Sequence, residues 1–190
     1  MSLLRTWFRS PLTLAVLLVL LTIPASADNA TVRLSTTAGP IDVVLYADQA
    51  PKTVANFLQL VDEGFYNGLI FHRVVAGFVI QTGGYDANMV YRESPRTVVN
   101  ESRVGLANRQ GTLAMARLED PDSADTQFFI NVQDNPNLNA KPGIPGYTVF
   151  GEVVSGMDVV EQIELTPVAT RDGMQGVPTA PIVIEKAERI

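Results

Sequence analysis

The clearest alternation of apolar and polar residues lies at 31–36, where Val32 and Leu34 fall on one face. A period of two is that of a β-strand with one buried side. Residues 41–46 are rich in β-forming types, and the sequence TAGP at 37–40 has the composition of a turn. Together these segments predict a β-hairpin.

The next segment changes to a helical period. Its apolar residues follow the i, i+3, i+4, i+7 pattern: Val54, Phe57, Leu58 and Val61. Pro51 stands where the first helical position falls, and Gly64 follows the last apolar residue. This pattern predicts an amphipathic helix of about 13 residues, whose apolar face needs a sheet to cover.

Several further elements are predicted along the rest of the chain. Strand-like segments lie at residues 71–75, 78–82, 112–116, 128–132, 148–154 and 181–187. A second helix is predicted at 156–164, and Ser102 predicts the cap of a short helix that ends at Ala107. Residues 97–99 are a candidate edge strand within a long loop, and residues 165–180 are predicted to be a loop.

About eight strands separated by turns, with two longer helices and one short one, favour an antiparallel barrel or sandwich. The two amphipathic helices suit the open ends of such a sheet. The pattern alone predicts a mainly β, barrel-like fold.

The first 27 residues have the pattern of a secretory signal peptide, with Arg5 and Arg9 before an apolar run at 12–23. The segment Ala25-Ser26-Ala27 predicts cleavage between Ala27 and Asp28. A membrane anchor is the alternative, but the apolar run at 12–23 is shorter than the roughly 20 residues that a membrane-spanning helix needs. We therefore expect a domain at 28–190 in the periplasm, with the extracellular space left open and no stable membrane association after cleavage.

Charge and composition narrow the function. Cleavage leaves 12 Lys and Arg against 20 Asp and Glu, a net charge of −8, which argues against nucleic-acid binding. The chain has no Cys and one His, which excludes thiol catalysis, Cys-ligated zinc and paired-His metal motifs. We expect no metal and no cofactor.

The stretch FHRVVAGFVIQTGG at 71–84 holds the candidate chemistry. It places Arg73 on the first of two neighbouring strands, and Phe78, Val79 and Gln81 on or next to the second. A guanidinium, two apolar side chains and a side-chain amide in this arrangement can bind a polar peptide backbone beside a small apolar side chain. The stretch contains no nucleophile with an adjacent base.

Three other segments accompany this stretch: GTLAMAR at 111–117, QFFIN at 127–131 and GYTVFGEVVSGMDVV at 146–160. With them the chain resembles the cyclophilin family from about residue 31 to near its end. The resemblance implies a closed eight-stranded antiparallel β-barrel capped by two helices, with the active site on its outer face. It also implies peptidyl-prolyl cis-trans isomerase activity on proline-containing peptides and unfolded exported proteins.

The resemblance assigns roles residue by residue. Arg73 matches the catalytic arginine, Gln81 the glutamine that helps to position it, and Phe78 a wall of the proline pocket. The implied substrate-binding residues are Val79, Ala116, Arg117, Gln127, Phe129, Leu138 and Tyr147. Two of these depart from common family members: Val79 replaces methionine, and Arg117 replaces asparagine. Asn137 stands where drug-sensitive members have tryptophan, which implies weak cyclosporin binding.

The implied reaction breaks no covalent bond. Rotation about an X-Pro bond has a barrier of about 18–20 kcal/mol, and a 10⁵-fold acceleration needs about 7 kcal/mol of selective transition-state binding. The twisted amide nitrogen regains a lone pair, so a permanently charged donor such as Arg73 can stabilise it. A charge-assisted hydrogen bond contributes about 1.5–3 kcal/mol, and the pocket must contribute the rest.

Other interpretations stay open at this point. Arg73 could be the buried partner of an acidic residue, and His72 is interpreted as a satisfied structural histidine. Phe128 and Phe129 are adjacent on one strand and should face opposite ways. The rival functions are a non-catalytic proline-peptide-binding chaperone module and a small barrel that carries an apolar ligand in an empty interior. We expect a monomer.

Overall fold

The computed structural model describes residues 29–103 and 105–190. The predicted signal peptide and its cleavage site lie outside the described residues. Neither helix in the described part of the chain has the length and apolar character needed to cross a membrane.

The described residues form ten strands, two α-helices and two short 3₁₀ helices. The strands are β1 Thr31–Thr36, β2 Gly39–Leu45, β3 Arg73–Val75, β4 Val79–Thr82, β5 Thr112–Met115, β6 Phe128–Asn131, β7 Val149–Ser155, β8 Val168–Arg171, β9 Met174–Pro178 and β10 Ile184–Arg189. The helices are α1 Pro51–Asp62 and α2 Met157–Glu164, and the 3₁₀ helices are Pro121–Ser123 and Pro136–Leu138.

Eight strands form one curled antiparallel sheet in the order β10-β1-β2-β7-β5-β6-β4-β3. Among the described residues no strand ladder joins β3 to β10, and only an isolated bridge between Ile70 and Val183 lies near that gap. The sheet is therefore a half-barrel, and the prediction of a closed barrel is wrong. The physical reason is that β3 has three residues and packs against β9, where Gly176 lies close to the Val74 carbonyl.

The interior of the curled sheet is filled by aromatic side chains around Phe57 of α1. The Phe57 ring lies 5.3 Å from the rings of Tyr66 and Phe128 and 5.2 Å from the ring of Phe150. All four side chains are fully buried. Because these large rings occupy the interior, the carrier alternative lacks the empty space that it requires.

The predicted hairpin and both longer helices are confirmed, and the six predicted strands occur with shifts of a few residues. The predicted loop at 165–180 is wrong, because it contains the hairpin of β8 and β9. Asp172 and Gly173 both have positive φ at its turn, which is the geometry that an Asp-Gly pair favours. Exposure of every β8 residue explains why no alternation marked this strand.

The predicted short helix after Ser102 is also wrong for its described residues, 102–103 and 105–107. The Ser102 hydroxyl donates to Asn100 Oδ1 at 2.5 Å and accepts from the Gly146 N–H at 3.0 Å. It therefore joins two loops and caps no helix. The candidate strand at 97–99 reduces to one bridge between Val98 and Ala124.

The long loop supplies the cap of α1. The side chain of Ala50, the residue before α1, makes no capping hydrogen bond. Glu101 instead accepts from the Lys52 N–H at 3.1 Å and from the Thr53 N–H and hydroxyl, each at 2.8 Å. A carboxylate at a helix N-terminus satisfies unpaired amides and interacts favourably with the helix dipole. Glu101 thus fixes the loop to the helix.

We expect Glu101→Ala to lower the free energy of unfolding by about 1–2 kcal/mol, because it removes the carboxylate that accepts from these amides. Urea denaturation at neutral pH measures the change. Glu161→Ala, on the exposed side of α2, is the matched control and should change stability by less than about 0.5 kcal/mol. Equal losses in the two variants would contradict this role of Glu101.

His72 lies just before β3 and is 2% exposed. Its ring lies 4.9 Å from the ring of Tyr85. Burial lowers the pKa of His72 to about 4, so the ring is neutral at pH 7. Nδ1 has no hydrogen-bond partner among the described residues, so the interpretation as a fully satisfied histidine is wrong at this atom.

Because His72 is the chain's one histidine, its effect on stability can be isolated. An unfolded histidine has a pKa near about 6.5, so the unfolded chain takes up a proton as the pH falls below that value while the native chain does not. We expect the free energy of unfolding to fall by roughly 2 kcal/mol between pH 7 and pH 5. Urea denaturation at several pH values across this range measures the change. If the free energy of unfolding of His72→Gln depends on pH as that of the parent does, His72 is not the source of the pH dependence.

Candidate active site

Strand register brings the candidate residues to one face of the sheet. Arg73 on β3 pairs with Gln81 on β4, and Gln81 pairs with Phe129 on β6. Directly paired residues of antiparallel strands share a face. Their neighbours Ile80 and Phe128 point the other way into the main core, so the predicted opposite orientation of Phe128 and Phe129 is confirmed.

A cavity of about 170 Å³ opens on this outer face. Nine of the ten predicted site residues line it: Arg73, Phe78, Val79, Gln81, Ala116, Arg117, Phe129, Leu138 and Tyr147. Gln127 is the exception and lines a neighbouring cavity. Segments that are far apart in sequence thus meet in one place.

The floor of the cavity is buried and apolar. Val79 and Phe129 are 1% and 4% exposed, and the ring of Phe129 meets that of Tyr147 edge-on at 5.6 Å. Leu138 accepts a backbone hydrogen bond from Tyr147 at 3.0 Å, which draws the two sides of the rim together. Such a floor can hold a small apolar ring away from water.

Arg73 stands at the polar side of the cavity and is partly exposed. Its Nη1 donates to Gln81 Oε1 at 3.2 Å. Within the described residues no carboxylate lies at salt-bridge distance from Arg73. The alternative that Arg73 is an ion-pair residue is therefore wrong for this part of the chain, and donors of the guanidinium remain for a ligand.

The side chain of Arg117 has a different role from that of Arg73. Its guanidinium lies 4.8 Å from the centre of the Tyr147 ring. It also donates to backbone carbonyls, to Leu118 at 2.9 Å and to Gly146 at 3.3 Å. Arg117 thus ties together two loops at the rim, and a cation over an aromatic ring adds to this tie.

A second cavity, of about 190 Å³, lies beside the first and shares Gln81, Ala116 and Arg117 with it. Tyr91, Leu118, Ser123, Asp125 and Gln127 complete its lining. Sequence reasoning missed Tyr91 and Asp125. The position of Asp125 two residues before QFFIN was the one local signal in the sequence.

Buried asparagines support the cavity from behind. Asn135 is 2% exposed and donates to the Phe78 carbonyl at 2.9 Å and to Asn131 Oδ1 at 2.8 Å. Asn131 donates in turn to Thr112 Oγ1 at 2.9 Å. These bonds fix the backbone next to the apolar floor. Asn131 belongs to the QFFIN motif, but nothing in the local sequence showed the partners of Asn135.

The arrangement suits the rotation of a bond more than its cleavage. A charged planar donor faces a cavity with an apolar floor that accepts a ring, and His72, the one histidine of the chain, is buried and does not line that cavity. Asn137 is exposed and does not line either cavity. The weak cyclosporin binding that it implied stays a prediction.

Comparisons with known proteins identify the family of this chain. The family model described as "Cyclophilin type peptidyl-prolyl cis-trans isomerase/CLD" matches residues 31–189. A peptidyl-prolyl cis-trans isomerase of Acinetobacter baylyi is 48% identical over 156 residues, which cover 82% of this chain and 83% of the relative. Peptidyl-prolyl cis-trans isomerase B of Escherichia coli is 49% identical over 159 residues, covering 81% and 96%.

A solved structure shows the same fold. The cyclophilin-type isomerase of Cryptosporidium parvum, crystallised in the presence of the dipeptide Ala-Pro, has a TM-score of 0.71 and 28% identity. The match covers 84% of this chain and 98% of that one. With the family match over nearly all of the described residues, this chain belongs to the cyclophilin-type peptidyl-prolyl cis-trans isomerases.

Proposed function

We propose that Arg73 is the catalytic residue of this isomerase and that its substrates are X-Pro bonds of exported polypeptides during folding. One observation carries the proposal. The guanidinium of Arg73 is held by Gln81 and has no carboxylate partner among the described residues, while it borders a cavity with an apolar floor and room for a ring.

The proline ring of the substrate lies against Val79 and Phe129, with Phe78 and Leu138 at its sides. Rotation about the X-Pro bond makes the amide nitrogen pyramidal, and its lone pair accepts a hydrogen bond from Arg73. Planar ground-state amides offer no such lone pair, so this bond forms selectively in the transition state. It contributes about 1.5–3 kcal/mol, and restraint of the ring and the flanking peptide contributes the remainder.

The residues before proline lie along the groove at the second cavity. The Ala116 N–H is already donated to the Gln127 carbonyl at 2.9 Å. A backbone contact between Ala116 and the substrate therefore uses the Ala116 carbonyl. The Arg117 guanidinium donates to loop carbonyls and so shapes the rim of the cavity. Arg117 therefore binds substrate through its backbone.

We expect Arg73→Ala to lower kcat/KM for a capped X-Pro peptide roughly 10- to 150-fold, which corresponds to the loss of one charge-assisted hydrogen bond. Exchange between the two isomers, followed by NMR without a coupled protease, measures the rate. Arg103→Ala, an exposed arginine outside both cavities, is the control and should remain fully active.

A folded Arg73→Ala protein with the parent's activity would overturn the role of Arg73. A different result tests the family activity itself. If the parent binds the peptide and does not accelerate exchange, the chain is the non-catalytic proline-peptide-binding module instead.

The choice of exported polypeptides as substrates depends on export of this chain, which the sequence of residues 1–27 predicts. In a Gram-negative host we expect the full chain to yield a periplasmic protein that begins at Asp28, as measured by N-terminal sequencing. Ala27→Phe should block cleavage because the small-residue site is lost. A chain beginning at 28 is the control and should stay in the cytoplasm. A full-length protein that remains in the cytoplasm would contradict export.

The monomeric state stays a prediction.

A further inference from the structure

A chain of hydrogen bonds runs from Arg73 on β3 through Gln81 on β4 to Gln127, the residue before β6. Arg73 Nη1 donates to Gln81 Oε1 at 3.2 Å, and Gln81 Nε2 donates to Gln127 Oε1 at 3.0 Å. A side-chain amide has one accepting and one donating end. Because Gln127 takes the donating end of Gln81, the accepting end faces Arg73. A reversed Gln81 amide would place a donor against the guanidinium, which is also a donor.

The orientation of Gln81 therefore depends on where Gln127 holds its oxygen. Space limits the Gln127 side chain on one side: a Cβ atom at Gly84 would lie 2.8 Å from Gln127 Cδ. The Gln127 amide is thus packed directly on the Gly84 backbone. The backbone carbonyl of Gln127 also accepts from the Ala116 N–H at 2.9 Å.

Asp125 holds the backbone of Gln127. One carboxylate oxygen, Oδ1, accepts from the Thr126 N–H at 2.5 Å and from the Gln127 N–H at 3.2 Å. The other oxygen, Oδ2, accepts from the Tyr91 hydroxyl at 3.3 Å. Burial and the nearby carboxylate raise the pKa of Tyr91, so its hydroxyl remains a donor at neutral pH. Asp125 therefore fixes the entry to β6 and is itself held by Tyr91.

We infer that Asp125 is a positioning residue for the isomerase reaction, acting through Gln127 and Gln81 on Arg73. Asp125 lies outside the first cavity, so it touches neither the proline ring nor Arg73. Its effect is transmitted by the order of donors and acceptors: the carboxylate fixes Gln127, Gln127 fixes the direction of the Gln81 amide, and Gln81 presents an oxygen to Arg73. The inference rests on the catalytic role proposed for Arg73.

The test compares Asp125→Ala with Asp134→Ala, using a capped X-Pro peptide and NMR exchange. Asp134 is a matched control because its carboxylate also accepts a loop amide, the Gln110 N–H at 2.9 Å, outside both cavities. We expect Asp125→Ala to lower kcat roughly 2- to 12-fold. Because Asp125 also lines the second cavity, a change in KM would report on substrate binding there, and kcat is the readout of positioning. Asp125→Ala should also shift the side-chain amide resonances of Gln81. Asp134→Ala should do neither.

A double-mutant cycle separates positioning from general loss of structure. If Asp125 acts through Arg73, Asp125→Ala has no further effect on kcat in an Arg73→Ala background. Equal losses in both backgrounds would overturn the inference, as would a parental kcat in Asp125→Ala. If Arg73→Ala alone is fully active, the catalytic role of Arg73 fails first, and the positioning role fails with it.

Three variants at Tyr91 and Gln127 keep the test valid if Asp125→Ala does not fold. Tyr91→Phe removes one bond to the carboxylate and should lower kcat in the same direction by a smaller factor. At Gln127, Glu keeps an acceptor for Gln81 whereas Met does not, so Gln127→Glu should retain more of kcat than Gln127→Met. Equal activity of the two Gln127 variants would overturn the relay.

Discussion

The register of β3, β4 and β6 is the constraint on which the rest of the site depends. It pairs Arg73 with Gln81 and Gln81 with Phe129, while Ile80 and Phe128 enter the core. A shift of one residue would exchange the two faces and bury the arginine. The apolar core thus enforces the geometry of the outer face: the packing of Phe128 against Phe57 fixes where Phe129 points.

The site combines rigid support with an unoccupied donor. The buried asparagines and the hydrogen bonds of Arg117 to loop carbonyls fix the backbone around the cavity. Arg73, in contrast, keeps guanidinium donors that no described carboxylate accepts. Such preorganisation lowers the reorganisation that the reaction requires. The hydrogen bond of Arg73 to Gln81 gives the guanidinium a direction without neutralising its charge.

Local pattern and motif resemblance predicted different parts of this molecule. Alternation at Val32 and Leu34 predicted β1, and the four motifs predicted the lining of the first cavity, with Gln127 displaced to the second. The Glu101 cap could not be predicted, because its partner Thr53 lies 48 residues away. The bond of Asp125 to Tyr91 spans 34 residues and was likewise missed, although its bonds to the Thr126 and Gln127 amides are local. The β8–β9 hairpin had a local signal, Asp172-Gly173, which the absence of alternation obscured.

The most direct test of the central claim is the structure of the protein with a capped Ala-Pro peptide bound. We expect the proline ring on Val79 and Phe129, with the Arg73 guanidinium directed at the prolyl amide and Gln81 Oε1 still its acceptor partner. A peptide bound in this cavity while Arg73 turns away from the amide, or one bound elsewhere on the surface, would contradict the mechanism.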